Sequence, residues 1–239
     1  MYNNIIYGPL HSRRLGKSLG INLLPEKICS LDCVYCEAGE TIDLTINREE
    51  YIPLNDIIES LARKIEQNPE IDYLTLCGIG EPTLHIEIGQ LIRYIKANYP
   101  NYKLCLITNS TTLIHTELHD DLALCDLIMP SLDAVSQEVF EKINRPHKDL
   151  DPQKIIESLI LFREKYSGLL WLEIFFLEGI NDTVEELTLL KDACQKIKPD
   201  LVQLNSLDRN GLFDWVKKMP HNRLVEIQEF MKPLLTRIV

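Results

Sequence analysis

Short apolar runs alternate along the chain with longer stretches in which apolar residues recur every three or four positions. The first kind reads as strands buried on both faces, the second as helices with one apolar stripe. Strands are predicted near Leu19–Leu24, Tyr73–Cys77, Lys103–Thr108, Leu127–Ser131, Leu170–Leu177 and Leu201–Asn205. Between them, Leu54–Gln67 places Ile57, Ile58, Leu61 and Ile65 on one helical face, with Asn55 as a candidate N-cap. Further helices are expected at Glu87–Asn98, Thr116–Leu124, Pro152–Tyr166, Thr183–Lys196 and about His221–Lys232. This alternation predicts an α/β fold with a parallel sheet. The expected form is a partial (βα)6 TIM-like barrel with helices outside, too short for an eight-unit barrel. No repeat or linker divides the chain, so 1–239 reads as a single domain. It comprises an N-terminal extension (1–18), a (βα)6 core (19–206) and a C-terminal segment with a closing helix (207–239).

In such folds reacting groups gather at the carboxyl ends of the strands. The first of these ends is unusual, because about thirty residues separate it from the first helix, far beyond an ordinary βα loop. That stretch contains "KICSLDCVYCEAG", with Cys29, Cys33 and Cys36 spaced C-x3-C-x2-C. Cys77, Cys105, Cys125 and Cys194 stand singly in strand or helix positions and read as structural.

Composition narrows what the cluster can be. At 45% hydrophobic and 26% charged residues the chain is that of an ordinary globular protein. No apolar run is long enough to span a bilayer, and the start lacks the pattern of a signal peptide. A cytoplasmic, reducing location is therefore expected, where cysteines bind metals or do chemistry more often than they pair. A disulfide would leave one of the three over. Structural zinc wants four ligands, and only His11 or His85 is open as a distant fourth. Iron–sulfur chemistry fits best: three thiolates on a four-iron cluster leave one iron free for an exogenous ligand.

C-x3-C-x2-C with an aromatic residue, Tyr35, before the last cysteine resembles the signature of the radical S-adenosylmethionine (SAM) superfamily. The resemblance implies a [4Fe-4S] cluster held by Cys29, Cys33 and Cys36, with SAM on the open iron. Reductive cleavage of SAM would give a 5′-deoxyadenosyl radical that abstracts hydrogen from a substrate, with electrons from an external flavodoxin- or ferredoxin-like donor. Cys77–His85, "CGIGEPTLH", resembles the family's glycine-glycine-glutamate motif, with Ile79 in place of the first expected glycine. Gly78, Gly80 and Glu81 would then hold the methionyl end, and Tyr35 would offer its backbone to adenine. Short polar residues close the later strands: Thr108 and Asn109, Ser131 and Asp133, and Asn205. They suit ribose hydroxyls or a carboxylate, and turn or cap roles stay equally open for Thr108 and Asp133.

Candidates for substrate contact are Arg13 and Arg14 in "HSRRLGK", Arg145 and His147 in "INRPHKDL", the strand acid Glu173, and Arg209 in "QLNSLDRNG". The N-terminal stretch, "NRPH" and "LNSLDRNG" resemble small iron–sulfur oxidoreductases related to the wybutosine-synthesis radical enzymes. Phe213 and Trp215 are candidates for a lid contact. A net charge of −11 disfavours a nucleic-acid partner and favours a small-molecule or peptide substrate. A glycyl-radical-enzyme activase, a tRNA-modifying enzyme, a non-catalytic electron-transfer or redox-sensing protein, and a zinc-stabilised module stay open as alternatives. A membrane partner is not expected.

Overall fold

The computed structural model describes residues 5–67, 70–208, 213 and 215–239. In chain order the strands are β1 (Ile6–Ser12), β2 (Gly16–Ile21), β3 (Ile28–Cys29), β4 (Asp43–Leu44), β5 (Tyr73–Leu76), β6 (Lys103–Thr108), β7 (Leu127–Pro130), β8 (Leu169–Phe175), β9 (Leu201–Asn205) and β10 (Thr236–Ile238). The helices are α1 (Leu54–Gln67), α2 (Ile88–Asn98), α3 (His119–Leu122), α4 (Gln137–Asn144), α5 (Pro152–Lys165), α6 (Val184–Ile197) and α7 (His221–Phe230). The main sheet has eight strands in the order β1-β2-β5-β6-β7-β8-β9-β10. Every pairing in it is parallel except β1 with β2. The edges β1 and β10 are not joined, so the barrel is open, in agreement with the partial barrel expected from the sequence.

Alternate residues of each strand divide the core in two. Leu74, Leu76, Leu104, Leu106, Ile128, Leu172 and Ile174 face outward and pack with apolar helix residues such as Ile57, Leu61, Ile92, Leu159 and Leu190. Ile58 and Ile65 of α1 are half-buried against the same core, which completes the face predicted for that helix. Facing inward, Cys105, Leu127 and Met129 form a smaller cluster with Leu15, Ile107 and Trp171 that fills the barrel.

Boundaries differ from expectation at both ends of the chain and at the first helix. The segment read as an extension holds β1, an edge strand whose irregular register between Tyr7 and Leu10 accommodates Pro9, a residue tolerated at edges and bulges. β2 begins at Gly16, and the buried Asn22–Leu24 lies beyond the ladder. Asn55 is inside α1: the first helical bonds run to the Pro53 carbonyl, so Pro53 occupies the cap position. The C-terminal segment ends in β10, parallel to β9, and not in the closing helix α7.

Candidate functional site

The cysteines lie on the segment between β2 and α1, which is held down at many points. β3 pairs with β4, joining Cys29 to Leu44. On the other side the 143–147 segment runs alongside: Asp32 N–H donates to the Asn144 carbonyl (2.9 Å), Val34 N–H to Ile143 (2.9 Å) and His147 N–H to Ser30 (2.9 Å). Arg145 adds an ion pair to Asp32 at 3.2 Å. Lys27, nearly fully buried, donates to the Gly39 carbonyl and faces the Asp32 carboxylate at 3.9 Å, so its charge is met inside the loop. Arg145 and His147 therefore clamp the cysteine loop.

Cys29, Cys33 and Cys36 open onto one cleft, whose walls include Tyr35, Gly78, Gly80, Glu81, Asn109 and Ser131. Asp133 lines an adjoining cavity shared with Tyr35, Asn109 and Ser131. Cys77, read as purely structural, also stands in the cleft wall, 2.7 Å from the Tyr7 hydroxyl. The other single cysteines, Cys105, Cys125 and Cys194, are buried as expected.

The acids at the strand ends are held by the protein's own donors. Glu81 is 2% exposed and its carboxylate accepts from four protein donors. Oε1 accepts from the Thr83 N–H (3.1 Å), the Thr83 hydroxyl and the Thr108 hydroxyl (2.7 Å), and Oε2 from the Asn109 N–H (2.7 Å). Burial raises its pKa, and these donors oppose the rise. Its side chain braces the β5 and β6 ends together, leaving the backbone of the Gly78–Gly80 loop to face the cleft. Asp133 is similarly engaged, accepting from the Tyr35 hydroxyl, the Asn144 side chain (2.7 Å) and the Phe175 N–H (2.8 Å). Desolvation outweighs those donors and lifts it to about 6. Tyr35 stacks flat on Phe175, centroids 3.9 Å apart, so the aromatic residue of the cysteine motif is locked onto β8.

Deeper in the barrel Arg14 donates to Glu173 and, at 3.1 Å, to Gln203 Oε1. Glu173 thus has the cation its position in an apolar strand demanded. Arg13 pairs with Asp208 on the surface at 2.9 Å. Asn205 caps the end of β9 by accepting from its neighbour's Ser206 N–H. Arg209 lies outside the described residues. Phe213 stacks with the half-exposed Trp215 and with Arg145, near the cysteine loop. Asn144, missed from the sequence, contacts Cys33; its only signal was its place beside Arg145 in "INRPH".

The donor set can be tested for what it suits. Burial pushes the Cys29 thiol up to about 12 and Cys33 well above its ordinary value, with the nearby carboxylates Glu81 and Asp133 adding to the rise. Holding these sulfurs as thiolates thus calls for a positive, thiophilic centre. Among the described residues no three Cys, His, Asp or Glu side chains converge closely enough to share a single metal ion. His85 has both ring nitrogens engaged, with the Ile52 carbonyl and the Glu87 N–H, and His11 is exposed on β1. Three spread thiols around a roomy cleft fit a multi-iron cluster better than one zinc ion.

The model of the Radical SAM superfamily matches residues 24–190, a span that contains the cysteine loop and strands β5 to β8. The chain belongs to the radical SAM superfamily. Members of this superfamily are enzymes that use a [4Fe-4S] cluster and SAM and require a reductant. The chain is 39% identical to a UPF0026 protein of Methanocaldococcus jannaschii, over 84% of this chain and 63% of that one. It is 32% identical to a UPF0026 protein of Helicobacter pylori, over 96% and 74%. A Brachyspira hyodysenteriae protein named GTPase Obg is 37% identical over 95% of this chain, which spans only 33% of its length. Weaker likeness, 27% identity over 78% of this chain and 52% of that one, runs to a probable dual-specificity RNA methyltransferase RlmN of Chlorobium phaeobacteroides. Solved folds agree. SuiB of Streptococcus suis bound to S-adenosylmethionine superposes with a TM-score of 0.68 at 19% identity, covering 92% of this chain and 50% of SuiB. TYW1 with a lysine-pyruvate adduct bound gives 0.65 at 13% identity, covering 90% and 72%. Among the described residues no helix is long and apolar enough to cross a membrane.

Proposed function

We propose that this radical SAM chain, one core unit over 1–239, holds a [4Fe-4S] cluster on Cys29, Cys33 and Cys36 and binds SAM beside it. The observation that carries the reading is the convergence of three spread thiols and the polar ends of β5, β6 and β7 on a single cleft. When bound, the cluster and SAM supply a 5′-deoxyadenosyl radical that takes hydrogen from the substrate. The chain's own residues bind and orient. The backbone of Gly78 and Gly80 would lie along the methionyl group, with Glu81 as their brace. Ser131 and Asn205 would serve the ribose and base side, and Asn109 lines the cleft beside the cysteines. Tyr35, fixed on Phe175, would offer its backbone to adenine, and Asp133 keeps it there. Arg14 and Glu173 would meet the substrate deeper in the barrel.

A small molecule or peptide is the preferred substrate class, because the net charge of −11 opposes a phosphate backbone. The RlmN likeness is what favours the second reading, RNA modification. A flavodoxin- or ferredoxin-like protein would supply electrons. The test is anaerobic reconstitution with iron and sulfide, reduction, addition of SAM and detection of 5′-deoxyadenosine. One zinc per chain without cluster absorbance would sink the reading. A cluster whose spin signal ignores SAM would replace it with an electron carrier.

A further inference from the structure

Two carboxamides, Asn109 in the cleft wall and Asn144 in the wall of the adjoining cavity, point their nitrogens at cysteine sulfurs. Asn144, the last residue of α4, is 3% exposed. Its Nδ2 lies 3.3 Å from Cys33 Sγ and 2.7 Å from Asp133 Oδ2. An ionised carboxylate only accepts, so this contact fixes which end of the amide faces the sulfur. Asn109, at the end of β6, has Nδ2 3.4 Å from Cys29 Sγ and 2.9 Å from Ser30 Oγ. Its Oδ1 accepts the Thr111 backbone N–H at 3.1 Å, which fixes that amide in the same way. Each donor is held by a second partner, so its aim does not depend on the sulfur.

We propose that Asn109 and Asn144 are positioning residues that set the reduction potential of the cluster, by donating N–H to two of its three ligand sulfurs. This rests on the reading that Cys29, Cys33 and Cys36 are those ligands. One electron entering from the external donor adds negative charge that the thiolates share. An N–H dipole aimed at sulfur stabilises the reduced form more than the oxidised one and raises the potential. Burial strengthens the effect, because water does not screen the amide. The 143–147 clamp would then do two things: fix the loop through its backbone and Arg145, and deliver a donor through Asn144.

The experiment compares the full chain with Asn144→Ala, Asn109→Ala and Arg145→Ala, all reconstituted anaerobically. Iron and sulfide content is measured first, then a potentiometric titration is followed by electron spin resonance. Each asparagine variant should keep its cluster yet show a reduced-to-oxidised ratio about tenfold lower at a fixed applied potential, a shift of about 59 mV for one electron. Arg145→Ala loosens the loop but leaves both N–H donors, and should titrate like the unaltered chain. The proposal is overturned if both asparagine variants titrate unchanged, or if Arg145→Ala shifts as far as they do. If Asn144→Ala fails to hold a cluster, Asn109→Ala alone decides, on the same criterion. Absence of a cluster from the unaltered chain would instead remove the ligand reading, and this proposal with it.

Discussion

A Cβ on Gly80 would stand 2.0 Å from the carbonyl oxygen of Ile28, the residue before the first cysteine. The Glu81 N–H donates to that same oxygen at 3.1 Å, so the β5 loop and the cysteine loop meet backbone to backbone. Gly80→Ala should therefore cost about 2 kcal/mol, the scale of an overpacked core site that only a backbone shift can relieve. At Gly78 the obstacle is the Asn22 side chain, 2.0 Å from a Cβ, whose oxygen has no partner and can move at less cost. Urea denaturation of the two alanine variants should rank Gly80 as the more damaging.

Glu81→Gln keeps the shape but turns one acceptor into a donor that faces donors. With the Thr83 and Thr108 groups on one oxygen and the Asn109 N–H on the other, either amide orientation leaves a conflict. A loss of about 1–3 kcal/mol is expected, the penalty for an unsatisfied buried group. A brace predicts this loss in the absence of SAM. A residue that serves only the ligand predicts unchanged stability with weakened SAM binding.

Much of this was legible beforehand, for a physical reason. Helices such as Leu54–Gln67 advertise themselves because one face is paid out in apolar residues at fixed spacing, and the cysteine spacing is a local feature of the same kind. β1 was hidden because an edge strand buries little, and "YGPLH" carries no alternation. The roles of Glu81, Arg145 and His147 depend on partners far along the chain. Composition showed that these groups could bond, but only the packing of β6 and the cysteine loop against them decides with what.

The cysteines separate cleanly by environment. Replacing Cys29, Cys33 or Cys36 with alanine should abolish cluster absorbance after reconstitution. Cys77→Ala should retain it, although Cys77 shares the cleft, because its sulfur is already engaged with the Tyr7 hydroxyl. Cys194→Ala, on the buried face of α6, should also retain it. Loss of the cluster in Cys77→Ala would add a fourth thiol to the ligand set.

Arg14 reaches into the barrel from the β1–β2 turn and ends on Glu173 and Gln203. The pair is only partly exposed, 24% and 16% for the two side chains, so water screens it incompletely. Glu173→Ala should destabilise the chain by about 2 kcal/mol, while Glu173→Gln, which keeps an acceptor for Arg14, should lose less. Guanidinium chloride would mask the charge term, so urea is the denaturant to use.

His85 gives the fold a pH dependence whose sign follows from its bonds. The ring is fully buried; Nε2 must donate to the Ile52 carbonyl at 2.8 Å, while Nδ1 accepts the Glu87 N–H at 3.2 Å. That is the neutral ring, and a second proton would sit on Nδ1 against another N–H. Burial accordingly lowers its pKa below 6.5. A depressed histidine contributes its stability fully above the unfolded value and loses it as pH falls through the folded value. Below about pH 6.5 the unfolded chain binds the proton that the folded chain refuses. His85→Gln can still donate to Ile52 but cannot titrate. Thermal melts from about pH 7.5 to about pH 5 should therefore fall more steeply for the unaltered chain than for His85→Gln. Equal slopes would mean that His85 accepts its proton in the folded state, and that its two backbone contacts are not maintained.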